Sequence, residues 1–163
     1  MLVFSFLKSL FENKMFLASV ISLFTAQLLK GVIYLLNGRR RKKRELVEII
    51  TWRTGGMPSS HAAVVCSLST SIGISDYLAH GTVVVSDLFI ISFWFALVVL
   101  RDAMGVRRSA GLLARSLNGL GKQAADKNGF DFHSVKEIQG HTPLEVIVGG
   151  LLGIFIAAGL LLM

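Results

Sequence analysis

The stretch GGMPSSH, residues 55–61, contains two glycines, two serine hydroxyls and a titratable histidine ring directly before an apolar run. Glycines such as Gly56 allow close backbone approach, and proline is tolerated near a helix start. The N–H groups of the following helical turn, with the hydroxyls of Ser59 and Ser60, could bind an anion. His61 could give or take a proton beside it. A serine-capped helix start without a ligand explains the same residues equally well.

A second stretch, QGHTPLEV at residues 139–146, places a carboxylate four residues after a histidine. Glu145 could fix the tautomer of His141 and leave the other ring nitrogen nucleophilic. The same glutamate also completes a helix capping box with Thr142, and Pro143 occupies the first helical position. Glu145 can do both only if it has two partners or serves them in succession.

A lysine lies inside the first apolar segment of the chain. Lys30 shares one helical face with Ser22 and Ala26, which are spaced at four-residue steps. This small, polar face is expected to look into a bundle of helices. An intramembrane lysine is a functional candidate. The alternative is that the side chain of Lys30 extends along the helix and places its ammonium group at the nearby basic membrane interface.

Two arginines follow a long apolar segment in the sequence RDAMGVRRSAG, residues 101–111. The guanidinium groups of Arg107 and Arg108 match phosphate oxygens in a forked geometry that lysine cannot copy. Their alternative role is that of interfacial charges that set membrane topology. Asp102 could orient one of these arginines, or it could be a solvated helix end.

The remaining histidines and the cysteine give no catalytic pattern. His80 and His133 are assigned no role, and no stretch has recognised metal-ligand spacing, so we expect no metal and no other cofactor. Cys66 is the only cysteine, which excludes an internal disulfide and a cysteine metal cluster.

The elements that must position these groups are membrane helices. The 163-residue chain is 53% hydrophobic, with a mean hydropathy of +0.64 and its apolar residues in long blocks. We therefore predict an all-α polytopic bundle, a single domain over residues 1–163 without a removable signal peptide. Four spans are predicted, at residues 15–36, 59–79, 83–100 and 143–163. An amphipathic lead at 1–14 precedes them, and a polar helix at roughly 106–120, followed by a loop, lies before the last span.

Small residues predict how the spans pack. The span at 59–79 is rich in serine, which favours a helix buried among other helices over one that faces lipid. In the last span Gly149, Gly153 and Ala157 recur at four-residue steps. That stripe is more typical of close helix contact than of chemistry.

Charge predicts the orientation. Segments 37–57 and 101–142 carry seven Lys or Arg each, whereas 80–86 carries none. The positive-inside rule then places both basic segments in the cytoplasm and both termini outside. It also explains the net charge of +7 without a nucleic-acid partner. The three motifs, far apart in sequence, are expected to converge at the cytoplasmic face.

The chain resembles the divergent membrane branch of the type 2 phosphatidic acid phosphatase and vanadium haloperoxidase superfamily. The resemblance is carried by a lysine in the first span and by the stretches GGMPSSH, DAMGVRRSAG and KEIQGHTPLEV. The resemblance runs from about Gln27 to Gly153. It implies an all-helical fold and metal-independent phosphate-ester hydrolysis through a phosphohistidine. In this resemblance His141 is the nucleophile, His61 is the general acid of a P-S-x-H element, and Glu145 stands where an aspartate is usual.

Two features of the superfamily pattern are missing. The usual arginine seven residues after the first-motif lysine is Asn37 here, and Val135 and Lys136 occupy the region of a usual Ser-Arg pair. Arg107 and Arg108 are candidates to supply the missing phosphate contacts from a different helix.

The expected function is hydrolysis of a lipid or isoprenoid phosphate monoester or diphosphate at the cytoplasmic side of the plasma membrane. Lys30, Arg107, Arg108 and the helix start at Ser59 and Ser60 would bind the phosphate. The alternative is a non-catalytic lipid-phosphate binder or scaffold that uses the same pocket. A small transporter is disfavoured because the charged groups gather at one face. Assembly into a homo-oligomer is left open.

Overall fold

The computed structural model describes residues 2–36, 56–137 and 140–163. Within these ranges every regular element is an α-helix, which confirms the predicted fold class. The helices are α1 (Leu2–Glu12), α2 (Lys14–Leu36), α3 (Ser60–His80), α4 (Asp87–Met104), α5 (Val106–Asn128) and α6 (Pro143–Leu162). The basic residues predicted to fix topology between Arg39 and Arg53 lie outside the described ranges.

Four of the described segments are long and apolar enough to cross a membrane, as predicted. They correspond to α2, α3, α6 and a stretch that contains α4. Many of their large apolar side chains point away from the protein, and Phe24, Trp94 and Phe155 are all more than half exposed. In a bilayer such side chains face lipid tails, so the exposed surface agrees with a polytopic membrane protein.

Local sequence sets where the spans begin. Ser59 caps α3 by accepting a hydrogen bond from Ala62 N–H, and Ser86 caps α4 by accepting one from Phe89 N–H. Because Ser86 is the cap, the third span starts later than the predicted residue 83 and continues beyond 100 to Met104.

The predicted end of the polar helix near residue 120 is wrong. Helix α5 continues to Asn128 and ends at Gly129, whose φ of 70° is a left-handed conformation that favours glycine. Gly119 and Gly121 suggest an earlier end, but Gly121 instead leaves room for the ring of Phe132 from the following segment. Tertiary packing thus overrides the low helix propensity of glycine.

Helix α3 lies at the centre of the bundle and contacts α2, α4 and α6. This confirms that the serine-rich span is buried among other helices. The stripe on α6 also packs as predicted, because a Cβ at Gly149 would collide with the backbone of Ser59, and one at Gly153 would collide with the backbone of Ala63. These contacts hold the start of α3 against the start of α6.

Substitution of Gly153 by alanine is therefore expected to destabilise the bundle. The added methyl meets backbone that cannot rotate away, and such overpacking costs about 1–3 kcal/mol. Thermal unfolding in detergent should show a lower Tm. Gly159→Ala is the matched control on the same helix, because no atom lies within 4 Å of a Cβ there. An equal effect of both substitutions would contradict close packing at Gly153.

Candidate active site

Three chain segments meet at one end of the bundle. The N–H of His141 donates to the carbonyl of Ala103 near the end of α4 (3.1 Å), and Ser59 N–H donates to the carbonyl of Glu145 (2.9 Å). Lys30 Nζ of α2 donates to Ser60 Oγ of α3 (3.2 Å). The structure thus brings together the three motifs and the lysine, which are far apart in sequence.

Glu145 has the two partners that its sequence position requires. Its Oε2 accepts a hydrogen bond from Thr142 N–H (2.9 Å) and lies 3.1 Å from Nδ1 of His141. The Thr142 side chain in turn accepts from Glu145 N–H, which completes the capping box. The cap therefore fixes the carboxylate, and the carboxylate orients the imidazole in the tautomer that carries its proton on Nδ1.

His141 is only 3% exposed, and its second ring nitrogen has no hydrogen-bond partner within the described part of the chain. Burial lowers the pKa of His141 below its ordinary value, and the hydrogen bond to Glu145 offsets this shift only in part. The ring therefore stays neutral to a lower pH than a free histidine. A neutral imidazole with an unshared electron pair on Nε2 is a nucleophile or a base.

Lys30 is buried inside the bundle. It is 4% exposed, and its ammonium donates to Ser60, which is itself buried. Ser59 is fully buried and its hydroxyl caps α3, so for Ser59 the capping interpretation holds. The first N–H groups of α3 have no intrahelical acceptor and add a partial positive charge beside Lys30.

His61 is exposed and lies within electrostatic range of Arg107, His141 and Lys30. Arg107 Nε donates to Asp102 Oδ2 over 2.6 Å, so Asp102 does orient an arginine. Both of these side chains are partly exposed. The rim of the site thus carries one titratable ring and one guanidinium held by a carboxylate.

A cavity of about 290 Å³ opens beside these groups. Gly56 lies on its wall with a φ of 84°, a left-handed conformation that favours glycine. A Cβ at Gly140 would collide with the backbone of Arg108, so this glycine lets the loop before His141 lie directly on α5. The cavity is lined by Gly56, Arg108, Gly111, Leu112, Arg115, Glu137, Gly140 and Glu145.

Two charged residues of this cavity were not predicted from the sequence. Arg115 follows Arg108 by seven residues and so lies on the same face of α5, a spacing that could have revealed it. Glu137 is held by Asn118, whose side-chain amide donates to the Glu137 carboxylate and to the carbonyl of Val135. No local pattern predicts this contact, because it depends on how segment 130–137 folds back on α5.

No group of three or more His, Cys, Asp or Glu side chains that could hold a metal ion occurs in residues 2–36, 56–137 and 140–163. The groups that the structure assembles are instead cations, a helix start and two imidazoles. Such a set suits an anion that has to be bound and then attacked or protonated.

The match to a known family agrees with this geometry. A family model described as the Divergent PAP2 family matches residues 11–156, which include every residue discussed at the site. The chain belongs to this family. The resemblance seen in the three motifs is thereby confirmed.

A relative from Bacillus subtilis (strain 168) has the printed name "Uncharacterized membrane protein YuiD". It is 37% identical over 161 residues, covering 90% of this chain and 93% of the relative. No solved structure matches the chain significantly. Together, the relative and the four apolar segments identify the chain as an integral membrane protein.

Proposed function

We propose that this protein is a membrane phosphatase that hydrolyses a lipid or isoprenoid phosphate through a phosphohistidine. The observation that carries the proposal is the pairing at His141. Its Nδ1 contacts Glu145, and its Nε2 is buried with no partner among the described residues. A buried polar atom that lacks a partner calls for an explanation, and a nucleophilic role supplies one.

In the proposed first step, the lone pair on His141 Nε2 attacks phosphorus and the phosphorus–oxygen ester bond breaks. His61 protonates the departing alcohol oxygen, so that the lipid leaves as an alcohol. Water then attacks the phosphohistidine and gives its proton to His61. The nitrogen–phosphorus bond breaks, inorganic phosphate leaves, and both histidines return to their starting forms.

The positive groups around the site neutralise the phosphoryl oxygens during transfer. Lys30 and the first turn of α3 approach from inside the bundle, and Arg107 and Arg108 approach from the rim. Most catalysis of phosphoryl transfer comes from positioning and charge stabilisation of this kind. Asp102 keeps Arg107 in place, and Gly56 lets the backbone approach the cavity.

A non-catalytic lipid-phosphate binder is the second candidate, and one observation favours it. Nε2 of His141 is buried, so a substrate reaches it only if neighbouring side chains move. Exposed groups at the rim, such as Arg108 and His61, are free to move, whereas Asp102 holds Arg107 in place. A binder would hold phosphate at the rim without this movement.

Phosphate release from purified protein separates the two candidates. We expect release from phosphatidate, phosphatidylglycerophosphate or a prenyl phosphate, retained in chelator and inhibited by vanadate, which mimics the trigonal phosphoryl group. Binding of these lipids without release would favour the binder. Release that stops in chelator and returns with a divalent ion would overturn the phosphohistidine mechanism.

Arg108→Ala is expected to weaken phosphate binding by about 1.5–3 kcal/mol, since it removes a charge-assisted contact. Arg108→Lys should restore binding only in part because the fork geometry is lost. Lys122→Ala is the matched control, because it removes one charge from the same helix outside the cavity. If Arg108→Ala and Lys122→Ala have the same effect on Kd, Arg108 acts only through general charge or topology.

The orientation of the site belongs to the same proposal. The basic segments 37–57 and 101–142 favour a cytoplasmic site in the plasma membrane, with both termini outside. A lipid phosphate in the inner leaflet would then present its headgroup at the depth of His141. The ester bond would lie at the boundary between cavity and bilayer.

A further inference from the structure

Helix α5 carries an apolar stripe that stays exposed in the described structure. Its members follow each other at steps of seven, four and three residues, so they share one face of the helix. Their side chains are between 49% and 71% exposed: Val106, Leu113, Leu117 and Leu120. The mechanism proposed above makes no use of this stripe.

Contacts on other sides of α5 fix the direction in which the stripe points. Asn118 is buried, and its side-chain amide donates to the Glu137 carboxylate. The ring of Phe132 packs where Gly121 leaves room for it. Segment 130–137 therefore lies along those sides of α5, and the stripe faces away from it.

Helix α5 begins where a membrane span ends. Helix α4 ends at Met104, and Gly105 makes the turn into α5. Among the described helices α5 packs against α4 alone. Its 23 residues span about 34 Å at a rise of about 1.5 Å per residue. Most of that length has no neighbouring helix, so α5 lies either along the membrane surface or out in the water.

The charge of α5 suits an anionic lipid surface. The helix has five basic residues and one acidic residue, Asp126. Arg108, Arg115 and Lys122 follow each other at seven-residue steps on the side opposite to the stripe. A helix with an apolar stripe and a basic opposite face is typical of the membrane interface. Anionic headgroups attract such basic segments.

We infer that α5 lies in the membrane interface, with its apolar stripe among the acyl chains and its basic face among anionic headgroups. The inference goes beyond the proposed function, because no residue of the phosphate site belongs to the stripe. In water, four large apolar side chains would stay hydrated at a cost in free energy. A second copy of the chain fits the stripe less well, because two α5 helices of like charge would repel each other.

This position of α5 also places the candidate cavity. Arg108 and Arg115 line the cavity, and a Cβ at Gly140 would collide with the backbone of Arg108. With the stripe in lipid, the two guanidinium groups face headgroups and water. The cavity wall that α5 forms therefore lies at the level of the lipid headgroups.

Nitroxide spin labels test this inference without requiring turnover. The full-length protein with Cys66→Ser carries one label, at Leu113→Cys or Leu120→Cys on the stripe or at Gly119→Cys as the control. Gly119 is exposed on another side of α5, and no atom lies within 4 Å of a Cβ there. In nanodiscs of phosphatidylglycerol and phosphatidylcholine, oxygen dissolved in the lipid should relax the stripe labels. A water-soluble nickel chelate should instead relax the label at Gly119.

A charge on the stripe should release α5 from the lipid. Leu117→Asp is expected to raise nickel-chelate relaxation of the label at Leu113→Cys to the level seen at Gly119→Cys, because a carboxylate is costly among acyl chains. Gly119→Asp is the matched control, since it adds the same charge on another side and should leave the label in lipid. Leu117 is exposed, so Leu117→Asp should keep the Tm of the bundle.

Each result decides the inference. Stripe labels accessible to oxygen and protected from nickel, with the reverse at Gly119, would support it. Stripe labels accessible to nickel would show that α5 stands in water, and equal relaxation on both sides would contradict the orientation. Stripe labels protected from both reagents would show that protein covers the stripe, and dipolar broadening would identify a second copy. These last three results would overturn the inference, and none of them depends on phosphate release.

Discussion

Replacement of His141 by alanine is expected to abolish phosphate release from every substrate. No other group near the cavity has both a buried, unpartnered nitrogen and a carboxylate that fixes its tautomer, as far as the described residues go. Without its nucleophile the enzyme cannot form the phosphohistidine, so neither step of the proposed reaction can take place. Single-turnover assays on a lipid phosphate and on an activated aryl phosphate should both fall to the uncatalysed rate.

His133→Ala is the control for this loss, because His133 is exposed and does not line the cavity. It should retain activity. His141→Ala should also keep a native Tm and bind the lipid phosphate, which shows that the fold survives. Turnover by correctly folded His141→Ala on either substrate would exclude His141 as the nucleophile.

Replacement of His61 by alanine is expected to cost about 10²–10⁴-fold on an alkyl phosphate, the usual scale of acid–base catalysis. An alkoxide is a poor leaving group and needs a proton as the ester bond breaks. An aryl phosphate departs as a stable anion, so the phosphorylation step should lose much less. The exposed position of His61 at the rim suits a group that meets the leaving oxygen.

Single-turnover rates on the two substrates are the measurement for His61. Equal losses on both would show that the ring binds phosphate and does not donate a proton. A loss only on the alkyl substrate would assign the general-acid role. Because the comparison is made within one variant, a general loss of stability cannot imitate the expected difference.

The fold was predictable because its signals are local. Apolar length identified the four spans, and the small residues at Gly149 and Gly153 identified the face of α6 that packs closely against another helix. The capping box at Thr142 and Glu145 marked the start of α6 to the residue. The end of α5 was missed because Gly121 is used for packing against Phe132, a contact that the sequence does not display.

Part of the candidate site was predictable for the same reason. His141 and Glu145 are four residues apart, and Asp102 and Arg107 are five apart, so local spacing suggested both pairs. The dual role of Glu145 required the structure, since it depends on where the His141 ring lies relative to the cap. Lys30 was a candidate because it lies inside the first span on a small, polar helical face. Its contact with Ser60 joins two different helices and required the structure.

Arg115 and Glu137 were not predicted from the sequence, because their place in the cavity depends on tertiary contacts. Segment 130–137 is held on α5 by Asn118, which donates to the carbonyl of Val135 and accepts from its N–H.

Detection of the covalent intermediate tests the central claim most directly. Protein mixed with a lipid phosphate and quenched during turnover should carry one phosphoryl group, stable in alkali and labile in acid, on His141. The mass spectrum of the peptide that contains His141 should show this group, and vanadate should prevent its formation. Turnover with the phosphoryl group on Ser59 or Ser60, or with none on the protein at any time, would contradict the phosphohistidine mechanism.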